Sequence, residues 1–317
     1  MPNRIIYMGS PSFTIPVLNS LLSSPDEVVA VYTHPDREIG RGRKQETPPI
    51  KKIANDIGIE VYQPNTMKDI EVVRQIKKLK PDLIVIAAYG QILPKEILDV
   101  PRSGCLNIHP SLLPKYRGPS PVIKTLLEGD KETGVSIMLL DEGMDTGPIL
   151  AQEIYTIQES DTVETLTNKL FDTGAQLLTR IIPRYLGGAI VPRKQDDALA
   201  TYSRKIRKED GEIDWTNTAE EIGRQIRALS PWPGVHTYWK GQALKVIEAK
   251  AEPSIEDTQG SIGQVITGYG QDKGAIGVVT AQGVLQIITV QQQGKNKNSA
   301  AAFLRGHSGF VGSVLPN

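Results

Sequence analysis

The chain has one cysteine, no long apolar run and no net charge, and each shortage narrows what it can be. With Cys105 alone, no intrachain disulfide is possible and a reducing compartment is expected. The longest apolar run, Leu83 to Ala88, is far too short to cross a bilayer. No N-terminal segment shows the charged, apolar and small-residue zones of a signal peptide, so a cytoplasmic protein with no membrane partner is expected. Lys and Arg total 36 against 36 Asp and Glu, a balance that argues against a general nucleic-acid binder. Internal repeats and low-complexity tracts are missing as well. What is present is ordinary for a globular protein, 39% hydrophobic and 23% charged residues. At 317 residues, two domains are the default.

Hydrophobic periodicity divides the chain. Short apolar segments at Arg4 to Gly9, Val28 to Tyr32, Glu60 to Tyr62, Leu83 to Ala88 and Gly104 to Ile108 read as strands. Helical patterns lie between them, ending near Leu22, over Pro49 to Ile57 and over Ile70 to Leu79. That alternation predicts an α/β fold with a doubly wound, mostly parallel sheet of Rossmann-like type. A helix from Pro121 to Glu128, a strand pair at Val135 to Leu140 and Ile149 to Ile157, and a long helix from Val163 to Leu186 complete a first domain over residues 1–188. Residues 189–204 are polar and aperiodic and read as a linker. Residues 205–317 open with a capping box at Thr218 and Glu221 and continue in short, glycine-broken β runs. They predict a small antiparallel β-barrel.

Chemistry concentrates in the stretch from Asn107 to Gly118, which reads Asn-Ile-His-Pro-Ser-Leu-Leu-Pro-Lys-Tyr-Arg-Gly. Asn107 and His109, two residues apart on a strand, leave it on the same face. They therefore point together toward the carboxyl end of the sheet, where open α/β sheets bind ligands. Three prolines and a glycine soon after make the exit stiff. A hydrogen-bond donor and a titratable ring on a rigid frame suit acyl-type chemistry, in which an oxyanion forms and a proton moves. A second candidate is the acidic turn Asp141-Glu142-Gly143-Met144-Asp145-Thr146-Gly147, which lacks the alternating ligands of a calcium loop.

Together these two motifs, Asn-x-His-x-Ser-Leu-Leu-Pro and Gly-x-Asp-Thr-Gly, resemble the formyltransferases that take a one-carbon unit from 10-formyltetrahydrofolate. The resemblance spans nearly the whole chain, from Ile5-Ile6-Tyr7-Met8-Gly9 to Ser230-Pro231-Trp232-Pro233-Gly234. It implies Asn107, His109 and Asp145 as the catalytic trio. It implies a folate site made by Ser111, Leu112, Leu113 and Pro114, by Ala88, Tyr89 and Gly90, and by the main chain of Asp141, Glu142 and Gly143. It implies a second domain of OB type. No metal is expected, since one His and one Asp fall short of a zinc set.

Between Arg37 and Lys52, six Lys/Arg residues face two Glu, a local surplus of four positive charges. Within the family, Pro35-Asp36-Arg37 followed by Gly40-Arg41-Gly42-Arg43-Lys44 is similar to an insertion in the branch that formylates methionyl-tRNA. The resemblance makes Arg41, Arg43 and Lys44 contacts to the acceptor stem of initiator methionyl-tRNA, and a monomer is the expected assembly. The rival is a formyltransferase for another amine, such as an amino sugar nucleotide, in which that basic insertion is not expected. A nicotinamide enzyme is disfavoured because Gly9-Ser10-Pro11-Ser12 lacks the required glycine spacing.

Overall fold

Strand and helix alternate as the periodicity predicts, in a computed structural model that describes residues 2–39, 44–252, 260–268 and 275–317. In chain order the elements are β1 (Arg4–Gly9), α1 (Ile15–Leu22), β2 (Glu27–Tyr32), β3 (Arg37–Ile39), β4 (Lys44–Glu46), α2 (Pro49–Asp56), β5 (Val61–Tyr62) and α3 (Ile70–Leu79). They continue with β6 (Leu83–Ala87), α4 (Lys95–Leu98), β7 (Cys105–His109), α5 (Pro121–Glu128), β8 (Glu132–Leu139), β9 (Ile149–Thr156) and α6 (Val163–Leu186). The main sheet has the order β5-β2-β1-β6-β7-β8-β9. Its first five strands run parallel, and β8 and β9 close it antiparallel. This is the doubly wound, mostly parallel sheet expected from the sequence.

The strand order reverses between β1 and β6, which creates the crevice where such sheets take ligands. β6 lies at the centre and is apolar at every position because both of its faces are covered. On one face, Ile5, Tyr7, Val85, Leu106 and Ile108 pack with Val17, Leu18, Ile50 and Phe171 of the flanking helices. On the other, Ile6, Met8, Ile84, Ile86 and Cys105 pack with Val73, Ile76 and Ile97. Gly174 in α6 allows that helix to approach β7, since a Cβ there would lie 2.8 Å from Ile108 Cγ2. The site strand is thus clamped from behind by a tight helix contact.

The chain divides into two compact units. The first comprises Met1–Pro121, Lys131–Gln158 and Glu164–Ser203, and the second Val122–Asp130, Glu159–Val163 and Arg204–Asn317. The polar segment read as a linker stays with the first unit through Ser203. It forms bridges from Arg193 to Ile149 and from Tyr202 to Arg117.

The second unit contains α7 (Ala219–Leu229), β10 (Val235–Trp239), β11 (Gln242–Glu252), β12 (Val265–Thr267), β13 (Ile276–Val279), β14 (Val284–Gln292), β15 (Asn298–Ser299) and α8 (Ala300–Arg305). The capping box that opens α7 is formed, with Thr218 and Glu221 bonding reciprocally. Among the described residues the strands pair antiparallel in the order β10-β11-β14-β13-β12, with β15 beside β14. This sheet is consistent with the expected OB-type barrel. Trp239, Phe303 and Phe310 meet edge to face beneath it.

Candidate active site

β7 delivers its polar residues to the carboxyl end of the sheet beside the β1/β6 crevice. Cys105, Asn107 and His109 alternate with Leu106 and Ile108, which are anchored in the core. Burial pushes the Cys105 thiol up to about 12, so it stays protonated and is no nucleophile. Asn107 is half-buried, and its amide has no hydrogen-bond partner among the described residues. It is the unspent donor of the strand.

His109 is buried, with 4% of its surface exposed. Its Nε2 lies 3.0 Å from the Tyr116 carbonyl oxygen. A carbonyl only accepts, so Nε2 carries a proton. The nitrogen left to change protonation is Nδ1, which faces Asp145 Oδ1 at 3.5 Å. The Asp145 charge acts to raise the histidine's pKa. Burial is the larger influence, however, and holds His109 below its ordinary value, against the upward pull of Asp145 and of the Tyr116 bond. The other Asp145 oxygen, Oδ2, accepts the Gly118 N–H at 2.8 Å. Asp145 has φ of 54°, a left-handed conformation that Asp tolerates better than most residues.

Gly118 has φ of 110°, and a Cβ there would collide with the Ser203 carbonyl. Glycine is required at the point where the chain turns its N–H toward Asp145.

The residues assigned to folate divide by what their side chains are doing. Ser111 is 1% exposed, and its hydroxyl donates to the Lys115 carbonyl at 2.6 Å. Leu113 packs on Met138 and Ile149, and its N–H donates to Ser136 Oγ at 3.0 Å. Both side chains therefore build the exit loop, in which Leu112, packed over Gly134, and Pro114 stay half-buried. Tyr89 likewise points inward, its hydroxyl on Met67 Sδ at 3.3 Å. Positive φ at Ala88 and Gly90 turns the main chain around it. Asp141 accepts from Gly143 N–H at 3.0 Å and Thr146 Oγ1 at 2.7 Å, while Glu142 pairs with Lys95 at 3.5 Å. Asp141 thus closes the turn on itself and takes up the Gly143 N–H.

Three contributors were not singled out from sequence. Tyr116 and Gly118 lie inside the quoted motif, and their proximity to the histidine was a usable signal. Gln195, from the aperiodic polar segment, donates to the carbonyls of Asp145 and Gly147 at 2.8 and 2.7 Å; nothing in its local sequence marks it.

Arg41 and Arg43 lie outside the described residues, and Lys44 opens β4. In the second unit, Lys208, His236, Tyr238, Lys245 and Gln291 are among the residues that line a cavity of about 590 Å³. No group of His, Cys, Asp and Glu among the described residues could hold a metal ion. No helix among them is long and apolar enough to cross a membrane.

Comparison with known proteins shows the family. A family model described as formyl transferase matches residues 3–182, and one described as formyl transferase, C-terminal domain, matches residues 205–308. The methionyl-tRNA formyltransferase of Chloroflexus aggregans is 44% identical, covering 96% of this chain and 97% of its own. That of Magnetococcus marinus is 39% identical, covering 98% of each. Among solved structures, an N-formyltransferase from Helicobacter canadensis, bound to folinic acid and dTDP-3-aminofucose, superposes with a TM-score of 0.67 at 21% identity. It covers 92% of this chain and 100% of its own. HypX from Aquifex aeolicus in complex with tetrahydrofolic acid superposes at 0.63 and 16% identity, over 98% of this chain and 48% of its own. At those identities the two structures support the fold alone.

Proposed function

The chain belongs to the methionyl-tRNA formyltransferase family, and from that premise we propose that Asn107, His109 and Asp145 carry its reaction. The enzyme transfers the formyl group of 10-formyltetrahydrofolate to the α-amino group of methionine on initiator methionyl-tRNA. The neutral amine attacks the formyl carbon, a new C–N bond forms, and the carbonyl oxygen gains negative charge. The Asn107 amide donates to that oxygen; losing one such donor costs about 100- to 1,000-fold in rate. The amine nitrogen must then lose a proton. His109 Nδ1 accepts it, and the resulting imidazolium is held between the Tyr116 carbonyl and the Asp145 carboxylate. Collapse breaks the bond to the folate nitrogen, which leaves with a proton returned from the site.

The single observation that carries this reading is the arrangement on and beside β7. An amide without a partner stands next to a buried imidazole, one of whose nitrogens is fixed while the other faces a carboxylate. The folate binds along the main chain of Ala88 to Gly90 and of Asp141 to Gly143, with Leu112 and Pro114 as apolar walls.

Residues 1–188 form the catalytic domain, and residues 205–317 hold the tRNA through Lys208 and Lys245 at the cavity they help to line. Arg41, Arg43 and Lys44 engage the acceptor stem. The protein works as a cytoplasmic monomer. The test is formyl transfer to purified methionyl initiator tRNA, with methionyl elongator tRNA as control. Efficient transfer to the initiator alone supports the full reading. Transfer to neither, with folate binding intact, removes the tRNA assignment.

A further inference from the structure

We infer that Arg117 and Gln195 are positioning residues that fix the main chain at Asp145 so that its carboxylate faces His109. The inference rests on the catalytic reading of His109 and Asp145. It begins from a guanidinium where one is costly. Arg117 is 1% exposed, and a buried charge persists only where every donor finds a partner. Its Nε and one terminal nitrogen both donate to Gln195 Oε1, at 3.0 and 2.9 Å, and that same nitrogen also donates to Asp197 Oδ1 at 2.8 Å. Asp197 sits at the surface, its side chain 70% exposed, so the buried end of the network is Gln195.

Gln195 is 5% exposed and its amide is saturated. The oxygen takes two bonds from Arg117, and the nitrogen gives its two hydrogens to the carbonyls of Asp145 and Gly147. Its orientation follows from these partners, because a flipped amide would set its nitrogen against guanidinium donors and its oxygen against two carbonyls. One of the two carbonyls it holds is that of Asp145, which is in the left-handed conformation, and the other is that of Gly147, two residues on.

The connections close on themselves. The Tyr116 carbonyl holds the His109 ring. Arg117, the next residue, holds the Asp145 main chain through Gln195. Gly118, the one after, donates its N–H to the Asp145 carboxylate. Three consecutive residues thus tie both members of the His109–Asp145 pair into one frame. The segment that follows Gln195 is itself pinned to Arg117, since Arg117 N–H donates to the Thr201 carbonyl at 2.9 Å and Ser203 N–H to the Arg117 carbonyl at 2.7 Å. Neither Arg117 nor Gln195 has surface from which to touch a substrate, so their influence passes through Asp145.

The test is Gln195→Glu in the full chain. Glutamate keeps the shape and the acceptor for Arg117, but it turns an unprotonated oxygen toward the Asp145 and Gly147 carbonyls. The expected result is a fall in kcat of about 10-fold or more, with KM for methionyl-tRNA and folate affinity within about 3-fold. In an Asp145→Asn background, single-turnover rates should fall by less than about 3-fold on adding Gln195→Glu, because the group it positions is already disabled. Arg117→Lys, which keeps the charge but loses the fork, goes through the same cycle and decides the matter if Gln195→Glu does not fold. Equal losses in both backgrounds, or parental kcat in Gln195→Glu, overturn the inference. Asp145→Asn and His109→Ala by themselves report on the catalytic reading. If both retain full activity, that reading fails whatever Gln195 does.

Discussion

Replacing Asp145 by Asn isolates the charge from the shape. Asparagine occupies the same volume, is at home at a positive φ, and keeps an oxygen for the Gly118 N–H. What changes is the face toward His109, where a carboxylate becomes an amide. At 3.5 Å, a carboxylate and an imidazolium attract by about 4–5 kcal/mol at an effective dielectric of about 20. The Asp145 side chain is 15% exposed, and solvent screening leaves about 2–3 kcal/mol, or about 30- to 150-fold in rate. An Asn amide that donates to Nδ1 favours neutral imidazole further, so the loss should lie toward the upper end. The assay is kcat/KM for formyl transfer to methionyl initiator tRNA at neutral pH, alongside folate affinity and the unfolding midpoint. Folate affinity within a few-fold and a nearly unchanged midpoint are expected with the rate loss. A kcat/KM within about 5-fold of the parent would show that the carboxylate's charge does not assist the proton transfer.

Stability should hold steady above about pH 7 and decline below about pH 6.5, because burial keeps the folded-state pKa of His109 and of His34 below the unfolded value. The unfolded chain then binds the extra protons, which favours unfolding as pH falls; urea midpoints at pH 7.5 and 5.5 should show a smaller drop in His109→Gln than in the parent. Gly118→Ala should cost about 1–3 kcal/mol from its left-handed φ alone, plus the collision with Ser203, and urea unfolding will read the total. Thr218→Ala, which opens the cap of α7, should cost about 1 kcal/mol and leave formyl transfer unchanged. Changing Arg41, Arg43 and Lys44 together to Ala should weaken tRNA binding and flatten its log–log salt dependence by about 2. Unmoved tRNA kinetics would return that segment to solvated surface.

Periodicity made the sheet legible because β6 and its neighbours are buried on both faces, and nothing but an unbroken apolar run satisfies that position. Asn107 and His109 were legible for the same reason: strand geometry alone puts i and i+2 on one face, so their partnership needed no tertiary knowledge. Asp145 is different. It lies 36 residues beyond His109 by number, and only the antiparallel return of β8 and β9 brings its turn back beside β7. Resemblance supplied that pairing where local physics could not. The net direction of the His109 shift was not legible, because desolvation depends on how completely the fold closes over the ring and no spacing rule encodes closure. Gln195 was the hardest to read. A polar residue in an aperiodic stretch normally signals solvent, and the same polarity serves a buried amide when four bonds wait for it. Such a residue becomes visible only from the other end, by asking what satisfies the buried guanidinium of Arg117 in a motif otherwise assigned to ligand. A charged residue inside a catalytic motif that the reaction does not use is therefore a pointer to the frame around the site, and following its hydrogen bonds leads to the residues that sequence patterns leave unmarked.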